Sequence, residues 1–318
     1  MAEQTAWNFE KGLHDLGHGS WAWLQPDGGW GWSNAGLIVD GDQSLLVDTL
    51  FDARLTGAML DAMTDATGLS GDDIGTVVNT HANGDHTHGN GLCRHAEIIA
   101  SEASAREMAE VDAAGLAAMM AAAPNLGLSG KYLLNIFGDF DFTNVAERAP
   151  TRTFTGELSL QVGNKTVSLI EVGPAHTAGD VLVHLPDDRV VYTGDILFID
   201  GTPIMWAGPV SNWIAACDRI LAMDVEAIVP GHGPITDKAG VRKVQEYLRY
   251  IDGETRKRFD AGLSVRDAAH DIALGDYSSW IDSERIAVNV DTLYREYRGD
   301  TSPPNIVGLF SLMAELKR

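Results

Sequence analysis

The sequence predicts an α/β fold: a β-rich core flanked by helices, an inserted apolar segment and a helical C-terminal extension. Three observations predict it. Four apolar, strand-like runs each enter a Gly-containing loop that carries imidazole or carboxylate: TVVN into THANGDHTHGN (80–90), VSLIEV into GPAHTAGD, VVYTGD, and AIVPGHGP. The ligand-type residues of these loops, from His81 to His232, must converge on one site, which argues for one core domain although 318 residues would allow two. From Thr236 onward strand-like runs give way to helical periodicity.

The elements follow in order. The stretch 20–50 reads as strands joined by turns at PDGG and DGDQ, with Trp21, Trp23, Trp30 and Trp32 as half-buried hairpin aromatics. Its last strand, LLVDTL, ends in Asp48, placed to cap the helix that follows. That helix spans about 53–67, with Leu55, Met59, Leu60 and Met63 on one face. TVVN and EIIAS (97–101) are strands, and residues 102–123 read as an Ala- and Met-rich helix with Met108, Val111, Gly115 and Met119 near helical spacing, ended by Pro124. Residues 124–142 carry Leu126, Leu128, Tyr132, Leu133, Ile136, Phe137 and Phe140 but are punctuated by Gly and Asn, which argues against a rigid long helix. So apolar a segment must cover something: a substrate site, the core or a second copy of the chain. Short strands follow Pro150 (TRTFT, LSLQV, VSLIEV, VLVHLP, VVYTGD), then an amphipathic helix at 211–223, then the strand AIV. Beyond Thr236, Val241, Val244, Leu248 and Ile251 form an apolar stripe.

Composition narrows the function. The net charge of −22 repels phosphate backbones and argues against a nucleic-acid partner. No run reaches the ~18 apolar residues of a membrane span, and the first residues lack the basic and apolar regions of a signal peptide. Two cysteines, Cys93 and Cys217, read as reduced thiols. Together these features predict a cytoplasmic protein with no nucleic-acid and no membrane partner; a homodimer stays open.

Neutral imidazole and carboxylate oxygen are the donors that borderline divalent metals such as zinc prefer. The order and spacing of the four loops resemble the metallo-β-lactamase superfamily, whose pattern is H-x-H-x-D-H, a lone His, an Asp, and a final His in a G-H-G-like loop. The matching residues are His81, Asp85, His86, His176, Asp195 and His232, and the resemblance covers roughly 18–235. The family's second His is Asn83 here, and His88 stands where a small residue is usual. The resemblance implies an αββα sandwich over residues 1–235, with a helical or lid insertion at about 102–142, and an extension (236–318) packed on the same domain. It implies that His81 and His176, with position 83, hold one metal, that Asp85, His86 and His232 hold a second, and that Asp195 bridges them. Two zinc ions are expected, with iron or manganese as alternatives. A hydroxide between the metals would be the nucleophile, oriented by Asp85, which could later protonate the leaving group; consistently, no G-x-S-x-G elbow is present. The amide of Asn83 is a weaker ligand than imidazole, so the first metal position should be the weaker, unless His88 supplies the missing ring. On a regular helix His86 and His88 diverge by about 200°, so His88 is either a ligand from a non-helical turn or a pocket residue. By the same resemblance Asp48 supports the first ligand loop, Trp30 and Trp32 can overhang the substrate, and residues 124–142, with Tyr132 and Phe137, form a mobile wall. His14, His18, His95, His184 and His270 follow no strand into a Gly-rich loop and read as surface or structural residues.

The expected activity is metal-dependent hydrolysis of an ester, lactone or thioester, or of an amide, in a fairly apolar molecule. An iron-dependent oxidoreductase of the sulfur dioxygenase or diiron type is the alternative, as is a binding protein that has lost catalysis.

Overall fold

The computed structural model describes residues 7–110 and 113–317. One sheet has seven strands in chain order: β1 (Gly12–Gly17), β2 (Ser20–Leu24), β3 (Ala35–Asp40), β4 (Gln43–Val47), β5 (Thr76–Val78), β6 (Glu97–Ser101) and β7 (Arg152–Phe154). The other holds β8 (Glu157–Val162), β9 (Lys165–Glu171), β10 (Val181–Leu185), β11 (Val190–Tyr192) and β12 (Ala227–Val229), in the reverse order β12-β11-β10-β9-β8. The helices are α1 (Ala53–Thr67), α2 (Gly84–Thr87), α3 (Glu102–Met108), α4 (Ala113–Ala122), α5 (Gly127–Phe137), α6 (Val210–Ala222), α7 (Lys238–Asp260), α8 (Val265–Asp271), α9 (Ile286–Arg298) and α10 (Ile306–Leu316).

Strand side chains alternate between two cores, which makes the layers. Ile38, Leu45, Val47, Val78 and Ile99 of the first sheet meet Val167, Leu169, Val181, Val183 and Val229 of the second. Their neighbours Leu37, Leu46, Val77 and Ile98, and Ile170, Leu182, Val191 and Ile228, face the other way and join the helices in a larger cluster with Leu55, Met59, Met63, Trp213 and Ile220. The result is an αββα sandwich with C-terminal helices. Helix ends are set locally: Asp52 accepts from the Leu55 N–H at 2.7 Å to start α1, and Gly68 in the left-handed region ends it.

β4 to β7 run parallel, as do β11 and β12. β9 runs antiparallel to β10, which runs antiparallel to β11, so β9, β11 and β12 share one direction. The loops after β5, β9, β11 and β12 therefore leave carboxyl ends of strands, and these are the loops rich in His and Asp. β1 was not expected from the sequence; its half-exposed GLHDLG lacks an apolar alternation, and pairing with β2 makes it a strand.

The insertion differs from its expected form. The helix read over 102–123 is two helices, α3 and α4; Val111, assigned to its apolar face, lies outside the described residues. Residues 127–137, read as too rich in Gly for a long rigid helix, form the eleven-residue α5. The reason is tertiary: a Cβ at Gly130 would collide with the Ala123 carbonyl, so glycine lets α5 close against the preceding turn. The helix is also anchored. Tyr132 is buried and donates to Glu284 at 3.1 Å, Ser129 donates to Ser311 on α10 at 3.1 Å, and Phe137 packs edge-on to Trp30 and Phe51 with centroids 5.8 and 5.6 Å apart. Phe137→Ala should accordingly cost about 3–5 kcal/mol in urea denaturation. A loss under about 1 kcal/mol would mean that α5 moves as a free lid.

Candidate metal centre

The site is built on strand ends. β5 gives way to Asn79, Thr80 and His81, and the four-residue α2 follows, with Asn83 at its N-cap. One turn of helix points Asp85 and His86 inward. The α2 loop is tied down by Asn79 and Asn90, whose carboxamides bond each other at 2.8 and 3.1 Å while Asn79 also donates to the His86 carbonyl at 2.9 Å. Ser33 donates to the Asp85 carbonyl at 2.5 Å. Asp195 follows β11, and His232 follows β12. The glycines of these loops are a steric need: a Cβ on Gly231 would strike the Asp195 carboxylate.

Four imidazoles and two carboxylates converge. Asp195 lies at the centre: its Oδ1 is 3.2 Å from His86 Nε2, and its Oδ2 is 3.3 Å from His176, 3.5 Å from His232 and 3.7 Å from His81 Nε2. Asp85 Oδ2 is 3.3 Å from His232 Nε2 and 3.8 Å from His86 Nε2. The donor atoms fall into two groups, His81–His176–Asp195 and Asp85–His86–His232, each with its atoms within 4.8 Å of one another.

Every ring is held through its other nitrogen. His86 Nδ1 meets Asp48 at 2.9 Å, His81 Nδ1 meets Thr80 Oγ1 at 3.0 Å, His176 Nδ1 meets the Ile204 carbonyl at 2.6 Å and His232 Nδ1 meets the Gly28 carbonyl at 3.1 Å. This turns all four Nε2 atoms toward Asp195, the arrangement in which outer partners fix the tautomer of a metal-ligating imidazole. The Nε2 atoms of His81, His86 and His176 and Oδ1 of Asp195 are buried and make no well-directed hydrogen bond, although they lie within ion-pair range of one another. Buried polar atoms without partners are costly, and one divalent ion in each donor group would satisfy them. The donors thus fit a metal pair.

The electrostatics agree with a cation-shaped hole. Burial opposes ionisation of Asp195 and Asp85, yet the surrounding imidazoles hold both carboxyls well below their usual range. Burial likewise opposes protonation of His232, but Asp195 and Asp85 outweigh it and raise the ring to about 9. His81 goes the other way, pushed well down by burial and by its neighbour His86.

The sequence model of the metallo-beta-lactamase superfamily matches residues 28–232, which contain every one of these residues. The chain belongs to that superfamily. Over 143 residues it is 27% identical to the 2,4-dinitroanisole O-demethylase subunit alpha of Nocardioides sp. (strain JS1661), covering 43% of this chain and 37% of that one. Over 113 residues it is 31% identical to the hydroxyacylglutathione hydrolase of Rhizobium meliloti (strain 1021), covering 35% of this chain and 43% of that one. The matches thus span less than half the length of these curated relatives. Among solved structures, the inverting sec-alkylsulfatase Pisa1 from Pseudomonas sp. superposes with a TM-score of 0.67 over 93% of this chain and 52% of that one, at 16% identity, a likeness of fold.

Within this superfamily chain, residues expected at the site separate into two sets. His81, Asp85, His86, His176, Asp195 and His232 come together, and Asp48 lies behind His86. Asn83 is half-buried at the start of α2, and its carboxamide makes no hydrogen bond among the described residues. His88 joins neither group. As the C-cap of α2 it is rotated away from His86; its Nδ1 meets the Phe51 carbonyl at 3.3 Å, its Nε2 faces Glu147 at 3.8 Å, and its ring fills the space over Gly84. Trp30 and Trp32 are half-buried beside Phe137 and Phe140, on the loop between Gly28 and Ser33 that touches both His232 and Asp85. Tyr132 is directed at Glu284.

Sequence reasoning missed Thr80 and Asp180. Asp180, the last residue of the quoted GPAHTAGD run, accepts from Thr177 N–H at 3.0 and 3.1 Å and from its hydroxyl at 2.7 Å, closing the His176 loop. Burial pushes its carboxyl up to about 8, against the pull of the Thr177 hydrogen bonds. A carboxyl raised in the folded state stabilises the fold while protonated, below the ordinary value of 3.8, and that stability drains as pH rises toward 8. Asp180→Asn, which mimics the protonated form, should match the parent protein in Tm near pH 4 and exceed it near pH 8. An equal Tm gap at both pH values would refute the shift.

Proposed function

We propose that the chain is a dinuclear metal-dependent hydrolase acting on an ester, lactone or thioester, or on an amide, of a fairly apolar small molecule. The observation that carries this reading is the convergence of four Nε2 atoms and two carboxylates, with the Nε2 atoms of His81, His86 and His176 and Oδ1 of Asp195 buried and without a hydrogen-bond partner among the described residues. Membership in a superfamily whose relatives here include a hydroxyacylglutathione hydrolase supports hydrolysis. His81, His176 and Asp195 would hold one metal, and Asp85, His86 and His232 the other, with Asp195 between them. A bound zinc pair supplies acidified water as nucleophile and polarises the bond under attack. Asp85, the most exposed carboxylate of the set at 13% of its side chain, orients the attacking water and returns a proton to the leaving oxygen, sulfur or nitrogen. The half-buried rings of Trp30 and Trp32, packed on Phe137 and Phe140, would supply an apolar wall that excludes water from the reacting group. A reducing, cytoplasmic setting accords with the buried free thiols Cys93 and Cys217, both pushed up to about 12 by burial.

Elemental analysis of the purified protein, joined to a panel of carboxylic esters, lactones, thioesters and amides, tests the reading. Zinc with chelator-sensitive hydrolysis is expected. A coloured iron protein that consumes oxygen and hydrolyses nothing would replace it with the oxidoreductase reading, and a metal-free, inert protein with the binding reading.

The two metal positions should also be unequal. The Asp85 group has a full set of ionic and imidazole donors, whereas position 83 offers the other group only an amide oxygen. In a zinc titration the first equivalent is expected at Asp85–His86–His232, and Asn83→His should tighten the second by about tenfold. Two equally tight equivalents in the parent protein would contradict this.

A further inference from the structure

We propose that Asn289, on the C-terminal helix α9 and outside the span matched by the superfamily, is a positioning residue for His176. The inference rests on the reading that His176 holds a metal. His176 differs from His86 and His81 in that, among the described residues, no side chain meets its Nδ1; it relies on the backbone of residues 202–207, a stretch with no strand ladder of its own. The Ile204 carbonyl accepts from the ring at 2.6 Å, and the N–H groups of Trp206 and Ala207 donate to the His176 carbonyl at 2.9 and 3.1 Å. An irregular segment can hold a ring only as firmly as it is itself held.

α9 does the holding. Arg285, the N-cap of α9, and Asn289 and Thr292 within the helix are spaced four and three apart and so lie along one side of it. Arg285 donates to the Thr202 carbonyl at 3.0 Å, and Thr292 donates to the Met205 carbonyl at 2.6 Å. Between them Asn289 donates to the Pro203 carbonyl at 2.9 Å and accepts from the Met205 N–H at 2.8 Å. The Met205 N–H and the Ile204 C=O belong to one peptide group. Asn289 therefore grips the far side of the very peptide plane that receives the His176 proton. The relay runs from His176 Nδ1–H to Ile204 C=O, through the planar amide to Met205 N–H, and on to Asn289 Oδ1. A second bond from Asn289 Nδ2 to the Tyr247 hydroxyl, 3.0 Å, fixes which way the carboxamide faces. Asn289 and Tyr247 are both buried. Planarity fixes the carbonyl's direction, and linked hydrogen bonds strengthen one another. The ring is thereby kept as the Nδ1–H tautomer, with Nε2 free as an electron-pair donor.

The test uses the full chain with Asn289→Leu, which removes both grips with a side chain of the same branching. Leu309→Ala on α10 serves as a control for lost stability alone. In metal-free protein with ¹⁵N-labelled histidine, the parent should show His176 as the Nδ1–H tautomer with a slowly exchanging proton, and Asn289→Leu should show faster exchange and a mixed tautomer. In zinc titration the equivalent held by His81, His176 and Asp195 should weaken about tenfold to a hundredfold, while the Asp85–His86–His232 equivalent changes less than twofold. Leu309→Ala should move neither readout. If Asn289→Leu does not fold, Thr292→Val is read instead and should shift both readouts in the same direction by less. Parent-like exchange and zinc affinity in the variants, whatever their Tm, would overturn the proposal. A parent protein that takes up no zinc would sink the metal reading alone, and the tautomer measurement would still decide the role of Asn289.

Discussion

Replacing Asp195 with alanine is expected to abolish metal retention and turnover together, with kcat/KM falling by about three orders of magnitude or more, equivalent to at least ~4 kcal/mol of transition-state stabilisation. Asp195 is the only residue whose carboxylate lies within 3.7 Å of all four converging imidazoles, among the described residues. It also belongs to the group that keeps His81 and His176 together. His86 and His232 would keep Asp85 beside them, but removing Asp195 leaves His81 and His176 with no carboxylate in ion-pair range among the described residues, in a place where desolvation is severe. Asp195→Asn separates charge from shape: it retains one neutral oxygen and should recover little activity, because a neutral amide would offset none of the charge of two divalent ions. Elemental analysis, turnover on the best substrate of the panel and circular dichroism are measured side by side. Near-parental metal content with near-parental turnover in Asp195→Ala would end the dinuclear reading. Loss of fold rather than of metal would instead make Asp195 a structural charge.

The parts of this site that were legible in the sequence are those that leave a side-chain signature. His81, Asp85, His86, His176, Asp195 and His232 each follow an apolar run into a glycine-containing loop, and the fold brings all six together because those runs end at one edge of two packed sheets. The illegible parts are of three kinds. Backbone acceptors, the carbonyls of Ile204 and Gly28, carry no residue identity, so nothing in the letters marks them as partners of His176 and His232. Asn289 and Thr292 read as ordinary polar positions on an amphipathic helix, and only the tertiary fold sets them against residues 203–205. His88 and α5 show local reading overruled by packing: a one-turn helix rotates His88 onto the Phe51 carbonyl, and the Gly130–Ala123 contact turns a glycine that reads as a breaker into one that lets the helix close.

Asp48→Ala should be the most destabilising single change near the site, at about 3–5 kcal/mol, and should also loosen metal at the His86 group by about tenfold to a hundredfold. Asp48 directly follows β4 with φ at 62°, a left-handed conformation that Asp tolerates better than Ala. That turn carries its buried carboxylate across to the next strand's loop. There it accepts from the Thr80 N–H and hydroxyl, both at 2.7 Å, and meets His86 Nδ1 at 2.9 Å. One side chain therefore fixes the His86 ring directly and the His81 ring at one remove, since the same Thr80 hydroxyl meets His81 Nδ1. Burial pushes the Asp48 carboxyl up while His86 pulls it down, and the carboxylates of Asp195, Asp85 and Asp48 overcome burial to hold His86 well above its ordinary value. Alanine would leave the Thr80 N–H and the His86 Nδ1–H buried without an acceptor, and the cost of such orphaned donors exceeds the worth of the bonds themselves. Asp48→Asn keeps one oxygen and tolerance of the left-handed turn, so it should lose roughly half as much stability. Its amide would press a second donor against His86 Nδ1–H and disturb the ring, so metal affinity should fall nearly as far as in the alanine variant. Urea denaturation of the metal-free proteins separates the first effect from the second, which is read by zinc competition with a chelator. A metal-free Asp48→Ala protein within about 1 kcal/mol of the parent would show that the Thr80–Asp48–His86 bonds contribute little to the fold, and unchanged zinc affinity would show that His86 is oriented by something else.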